Sequence, residues 1–95
     1  MSNLKLCLAC GSYDFLSPLI TGEVTPAGID LNVLTMASPE RHSRMSRYEE
    51  FDICELSLVS YILARDRGRA MTAIPVFPHR RFRHSYMFKR MDCGI

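Results

Sequence analysis

Three arginines and two histidines crowd around an aromatic in residues 77–85, read in order as Phe77, Pro78, His79, Arg80, Arg81, Phe82, Arg83, His84 and Ser85. A guanidinium presents a planar fork of donors that matches the two oxygens of a carboxylate or phosphate, so this stretch suits a small dianionic molecule. His84 adds a group that changes charge near neutral pH and so can give or take a proton. The bland reading is a run of solvated charges with Phe82 alone in the core. Both readings are open on the residues themselves.

Charge placement agrees with an anion site. The formal net charge is +2, but residues 75–95 carry +4 and residues 1–74 carry −2. Nucleic acid is not the expected partner, because there is one short basic cluster, no recognisable reader motif and little net charge. Two further groups sit where chemistry is plausible. Glu55 and Ser57 flank the end of an apolar run, Ser57 at a helix start where its hydroxyl and neighbouring amides face either the backbone or an anion. Tyr13 and Asp14 follow the first apolar run in the same way. His42, with Arg41, Arg44 and Arg47 near it on one helix, reads as surface.

Cys7 and Cys10 form a C-x-x-C, but a tetrahedral metal site needs a second ligand pair, and Cys54 and Cys93 are isolated from each other. The cysteines are expected to be reduced packing residues, with no metal. The methionines, Met36, Met45, Met71 and Met87 among them, read as core filling with no cofactor signal. No phosphate-binding glycine loop, nucleophile elbow or metal box is present.

These residues need elements to hold them. With 95 residues and 47% hydrophobic composition the chain is a single domain at most. A chain of this size buries only about 60 to 65% of its unfolded surface, so its core is thin unless something else covers one face. Residues 4–9 (LKLCLA) are apolar at nearly every position, the pattern of a strand buried on both faces. Residues 13–20 hold a short helix behind Ser12, limited by Pro18, and residues 22–28 connect. Residues 29–34 (IDLNVL) alternate, as a strand with one covered face does. Ser38 as cap and Pro39 in the first turn start a helix that runs to about Tyr48. Residues 51–56 are a third strand, residues 57–67 a helix closed by Gly68, and residues 71–77 (MTAIPVF) a fourth strand ending at Pro78. A further strand could occupy residues 86–88.

Strand alternating with helix predicts an α/β fold, a mainly parallel sheet with helices on both faces. In such sheets ligands bind beyond the carboxyl ends of the strands. That rule selects four loops: residues 11–14, 35–38, 55–60 and 77–85. No apolar stretch approaches the roughly 20 residues of a membrane span, and residues 1–9 lack a secretory leader pattern, so a cytoplasmic protein with no membrane partner is expected.

The strings LKLCLACGSYD (residues 4–14), GIDLNVL (28–34), RYEEFDICELSL (47–58) and above all AIPVFPHRRFRHS (73–85) resemble the N-terminal part of the 4,5-dihydroxyphthalate decarboxylase family. Members of that family look like two-lobed, type II periplasmic binding proteins adapted to catalysis. The resemblance implies that residues 1–95 are part of a first lobe, with the second lobe absent, to be supplied by further chain or by a homo-oligomer that rebuilds the cleft. It also implies removal of CO2 from an aromatic dicarboxylate bearing two adjacent hydroxyls, yielding protocatechuate, with no organic cofactor.

Arg80, Arg83, His84 and Ser85 fall on the family string and are carried over as site residues. Their expected roles follow from the reaction. Arg80 and Arg83 clamp the carboxylates, His84 donates or orients a proton, and Ser85 and Ser57 add substrate contacts. His79 stands where a small residue such as Ser is expected, and residues 86–93 match the family poorly. Alone, the 95 residues are expected to be inactive. The competing expectation is a solute-binding protein of an ABC-type transporter that recognises a small carboxylate, since the same scaffold serves both tasks.

Overall fold

A computed structural model describes residues 2–80, 87–92 and 94. Its centre is strand β1, Leu4–Cys10, which pairs in parallel with β2, Ile29–Thr35, on one side and with β3, Ile53–Cys54, on the other. The register sets Leu4 opposite Ile29 and Cys10 opposite Thr35, while β3 meets β1 at Leu8 and Ala9. All three strands run the same way, so their carboxyl ends lie at one end of the sheet.

Between the strands run a 3-10 turn, Asp14–Leu16, and three helices: α1, Ser17–Thr21, α2, Ser38–Tyr48, and α3, Leu58–Asp66. The chain is therefore an α/β fold on a parallel sheet, as its alternating pattern predicts. Helix α1 packs against β2, and α2 against α3. Among the described residues no helix is long and apolar enough to cross a membrane.

Helix α2 holds Pro39 in its first turn, Glu40 close behind it and Arg47 in its last turn, the charge order that complements the helix dipole. It stops at Glu49, which takes a left-handed conformation with φ of 50° and donates its amide to the Met45 carbonyl. Helix α3 is capped as expected: the Ser57 hydroxyl accepts from the Ser60 amide at 3.1 Å, and Gly68 takes a positive φ just past the last turn. Two expected caps are absent. Ala37 holds the cap position of α2, so Ser38 is already helical, and neither Ser12 nor any other side chain caps the turn at Asp14.

Four strand expectations need correction. Strand β1 is buried only at Ala9 and Cys10, and Leu4 is exposed, because β3 reaches only the carboxyl-terminal half of it. Strand β3 is two residues long rather than six. Beyond it the ladder is continued by Asp52, whose amide donates to the Cys7 carbonyl at 3.1 Å and whose carboxylate accepts from the Cys7 amide at 2.8 Å.

Residues 71–77 form no strand. Their backbone bonds are local, Met71 to the Arg69 carbonyl and Val76 to the Ile74 carbonyl, and Ile74, Val76 and Phe77 are exposed. A fourth strand needs an edge to join, and a two-residue β3 with Pro75 opposite any ladder does not offer one. Met87 and Phe88 are likewise outside any strand, and Met87 is exposed rather than core.

The buried set is small: Ala9, Cys10, Phe51, Ala64 and, unusually, Arg41. All but Ala64 lie at or beside the strand ends. Helix α3 turns Leu58, Val59, Ile62 and Leu63 to solvent.

Candidate functional site at the strand ends

Each strand hands a different residue to its carboxyl end. After β1 come Gly11 and Tyr13, after β2 come Met36 and the start of α2 with Arg41, and after β3 comes Glu55. Because the three strands are parallel and in register, these residues converge.

Arg41 is the centre of the cluster and is only 3% exposed. Its Nη2 lies 2.8 Å from Glu55 Oε1, its Nε donates to the Glu55 carbonyl at 2.9 Å, and its Nη1 donates to the Met36 carbonyl at 2.7 Å. The fork thus ties α2 to the ends of β2 and β3. Glu55 in turn accepts the Gly11 amide on Oε1 at 3.1 Å and the Tyr13 hydroxyl on Oε2 at 2.6 Å, which brings in the end of β1. A buried ion pair persists only when its remaining hydrogen-bonding capacity is met, and here both partners are well supplied.

The Tyr13 ring lies directly over Gly11. A Cβ at Gly11 would sit 2.9 Å from the Tyr13 ring, so only glycine lets the ring approach. The same ring stacks on Phe15 at 5.6 Å between centroids and meets His79 at 6.2 Å, tilted by 33°. His79 opens the basic stretch, so this contact brings the start of that stretch to the strand ends.

Burial and the Glu55 carboxylate beside it push the Tyr13 phenol up to about 12. The folded value lies above the ordinary 10.0, so the stability that Tyr13 lends is complete below about pH 10 and is lost as pH climbs through about 12. Urea-unfolding midpoints are expected to fall across that alkaline window, and Tyr13→Phe should flatten the fall. An identical alkaline slope in the variant would show that Tyr13 is not its source.

Two of the nearby thiols are shifted away from the thiolate form. Burial, with Glu55 adding to it, raises Cys10, and burial raises Cys54 to about 11. Cys7, Cys10 and Cys54 are free, and among the described residues no group of three His, Cys, Asp or Glu side chains could hold a metal. His42 is half-buried rather than on the surface, and burial beside Arg41 lowers its affinity for a proton. Two concavities lie elsewhere. One of about 220 Å³ is lined by Leu19, Ile20, Val24, Leu31 and Val33, and a broad trough runs past Lys5, Asp30 and Asp52.

Of the residues singled out from sequence, Ser57 sits at the start of α3 with its hydroxyl committed to Ser60, donating to Ser60 Oγ at 3.2 Å and accepting from its amide. Arg80 is exposed, its Nε donating to the Phe77 carbonyl at 3.4 Å. Arg83, His84 and Ser85 lie outside the described residues. The strand-end rule selected Tyr13 and Glu55 but gave them no role. Arg41 was missed, although its place four residues past the Ala37 cap, directly after β2, puts it at the same end.

No family model matches the chain. Over its full length it is 44% identical to a 4,5-dihydroxyphthalate decarboxylase of Comamonas testosteroni and 41% identical to one of Pseudomonas putida. The chain is similar throughout to 4,5-dihydroxyphthalate decarboxylases. It spans 29% and 37% of the length of these two decarboxylases. All of the strand-end cluster and all of the basic stretch therefore fall in the region shared with them.

Proposed function

We propose that these residues are part of a decarboxylase that converts 4,5-dihydroxyphthalate to protocatechuate and CO2, and that they form part of its first lobe. The observation that carries this reading is similarity along every part of the chain to two proteins of that name. Nothing comparable favours the transporter reading.

The chemistry fits the residue types. In the substrate each carboxylate-bearing carbon is para to a hydroxyl, which feeds electron density to it. A proton adds to that carbon, the carbon–carboxylate bond then breaks, and its electron pair returns to the ring as CO2 leaves. The step needs a proton donor near the ring and a fixed cation on the retained carboxylate. Arg80 and Arg83 are the proposed clamp and His84 the proposed proton donor. Ser85 is a further proposed substrate contact, and Ser57 with the amides that open α3 another. The substrate is a small aromatic carboxylate, and no organic cofactor enters this scheme.

The test is a chimaera in which these 95 residues replace the matching region of the Comamonas testosteroni protein. It is expected to release CO2 from 4,5-dihydroxyphthalate, and Arg83→Ala in it should weaken the diacid roughly 100-fold while changing a neutral catechol little. A folded chimaera without CO2 release would overturn the function. Equal losses for diacid and catechol would remove the clamp. The 95 residues alone are expected not to release CO2 from the diacid.

A further inference from the structure

Helix α3 leaves its apolar side uncovered. Leu58, Val59, Ile62 and Leu63 form two columns at i, i+4 spacing and are between 46% and 72% exposed, while Ala64 is the buried residue of the helix. Residues 71–77 extend the same surface. The Arg65 Nη1 donates to the Met71 carbonyl at 3.1 Å, and the Ala73 amide donates to the Tyr61 hydroxyl at 3.3 Å. From Met71 to Ala73 an extended chain advances roughly 6 Å, as a helix does from Tyr61 to Arg65, so the segment runs back beside α3 in the opposite direction. It leads to His79, which meets Tyr13 at the strand ends where Ser57 opens the helix. Ile74, Val76 and Phe77, between 56% and 71% exposed, therefore lie alongside the first turns of α3.

We propose that this apolar surface is a two-fold interface between two copies of this chain, α3 and residues 74–77 of one packing on the same elements of the other. Area is the first argument. Together these side chains leave roughly 800 Å² in water, more than a monomer ordinarily exposes in one patch and close to what each partner gives to a stable complex of standard size. Composition is the second. None of these side chains is charged, and Arg65, Asp66 and Arg67 stand at the far end of the helix. A second copy therefore meets an apolar centre with charges at its rim, and no like charges oppose each other across the middle. Because the same patch serves both copies, the assembly closes at two. The buried apolar set within one copy is only Ala9, Cys10, Phe51 and Ala64, so a partner supplies cover that this thin core lacks. The inference does not depend on the decarboxylase reading.

The experiment is sedimentation equilibrium of the 95-residue chain, with circular dichroism to follow its helices. The chain is expected to show twice its own mass at about 100 µM and its own mass below about 1 µM, the weak end of the range for an interface of this area. Val59→Lys combined with Ile62→Lys exchanges β-branched residues for a better helix former, so α3 should stay folded. It should weaken pairing at least about 100-fold by setting ammonium groups face to face. Val24→Lys, at an exposed apolar residue between α1 and β2, should leave pairing unchanged. A chain that stays monomeric at the higher concentration, a pair that survives the double substitution, or assembly beyond two copies would overturn the proposal. So would a fall of about 10 °C or more in the melting temperature of a monomeric chimaera with the Comamonas testosteroni protein on the same double substitution, since further chain would then be the occupant.

Discussion

Replacing Arg41 by alanine is expected to lower the unfolding free energy by about 3 to 5 kcal/mol, the usual cost of leaving one partner of a buried ion pair alone. The Glu55 side chain is only 9% exposed, so its carboxylate would remain out of water with no cation beside it. The carbonyls of Met36 and Glu55 would lose their donors at the same time. Domains of this size are stable by only about 5 to 15 kcal/mol, and each kcal/mol moves the melting temperature by roughly 4 to 8 °C. Thermal unfolding followed by circular dichroism should therefore show a fall of about 12 to 40 °C. The double variant Arg41→Met with Glu55→Leu should recover part of it, because removing both charges leaves neither stranded while the Met36 carbonyl and the Gly11 amide still lack their partners. A loss under about 1 kcal/mol in Arg41→Ala would mean that the pair does not hold the strand ends.

Phe51→Ala is the second substitution with a large expected effect, about 3 to 4 kcal/mol measured by urea unfolding. Phe51 is 5% exposed and is the largest side chain in a buried apolar set otherwise made of two alanines and a cysteine. It precedes β3, so its anchoring sets where that short strand begins. The Arg44 guanidinium lies over its ring, 5.1 Å from the centroid, and is itself held by Glu50 at 3.0 Å and 3.1 Å. Removing the ring opens a cavity and leaves the guanidinium with no aromatic face. The contrast is Leu58→Ala on α3, where the side chain is already 72% exposed and little burial is lost. Similar destabilisation by both substitutions would mean that Phe51 is not the anchor.

The elements that could be read from residue patterns are those specified locally. Residues 29–34 alternate because β2 has one covered face. Helix α3 could be bounded because Ser57 and Gly68 satisfy the backbone at its two ends. What could not be read depends on neighbours. Residues 71–77 have strand composition, but composition does not supply an edge to pair with. The length of β3 is decided by Asp52, whose side chain takes over a backbone bond. Arg41 looks like any helical arginine in sequence, and only the meeting of three parallel strand ends turns it inward. The basic stretch was legible as a cluster of cationic groups, and Tyr13 as a residue at the carboxyl end of the sheet. The link between them, the ring contact of Tyr13 with His79, is a distance that no spacing encodes.

Charge pairing on α2 bears on how an anion would find the strand ends. Arg41 is matched by Glu55, and Arg44 by Glu40 and Glu50, so at a distance these cations nearly vanish. The far field belongs to residues 75–95, whose formal charge is +4 against −2 for the rest. On the decarboxylase reading we propose, a diffusing dianion is drawn toward residues 75–95 by a long-range pull that weakens with added salt.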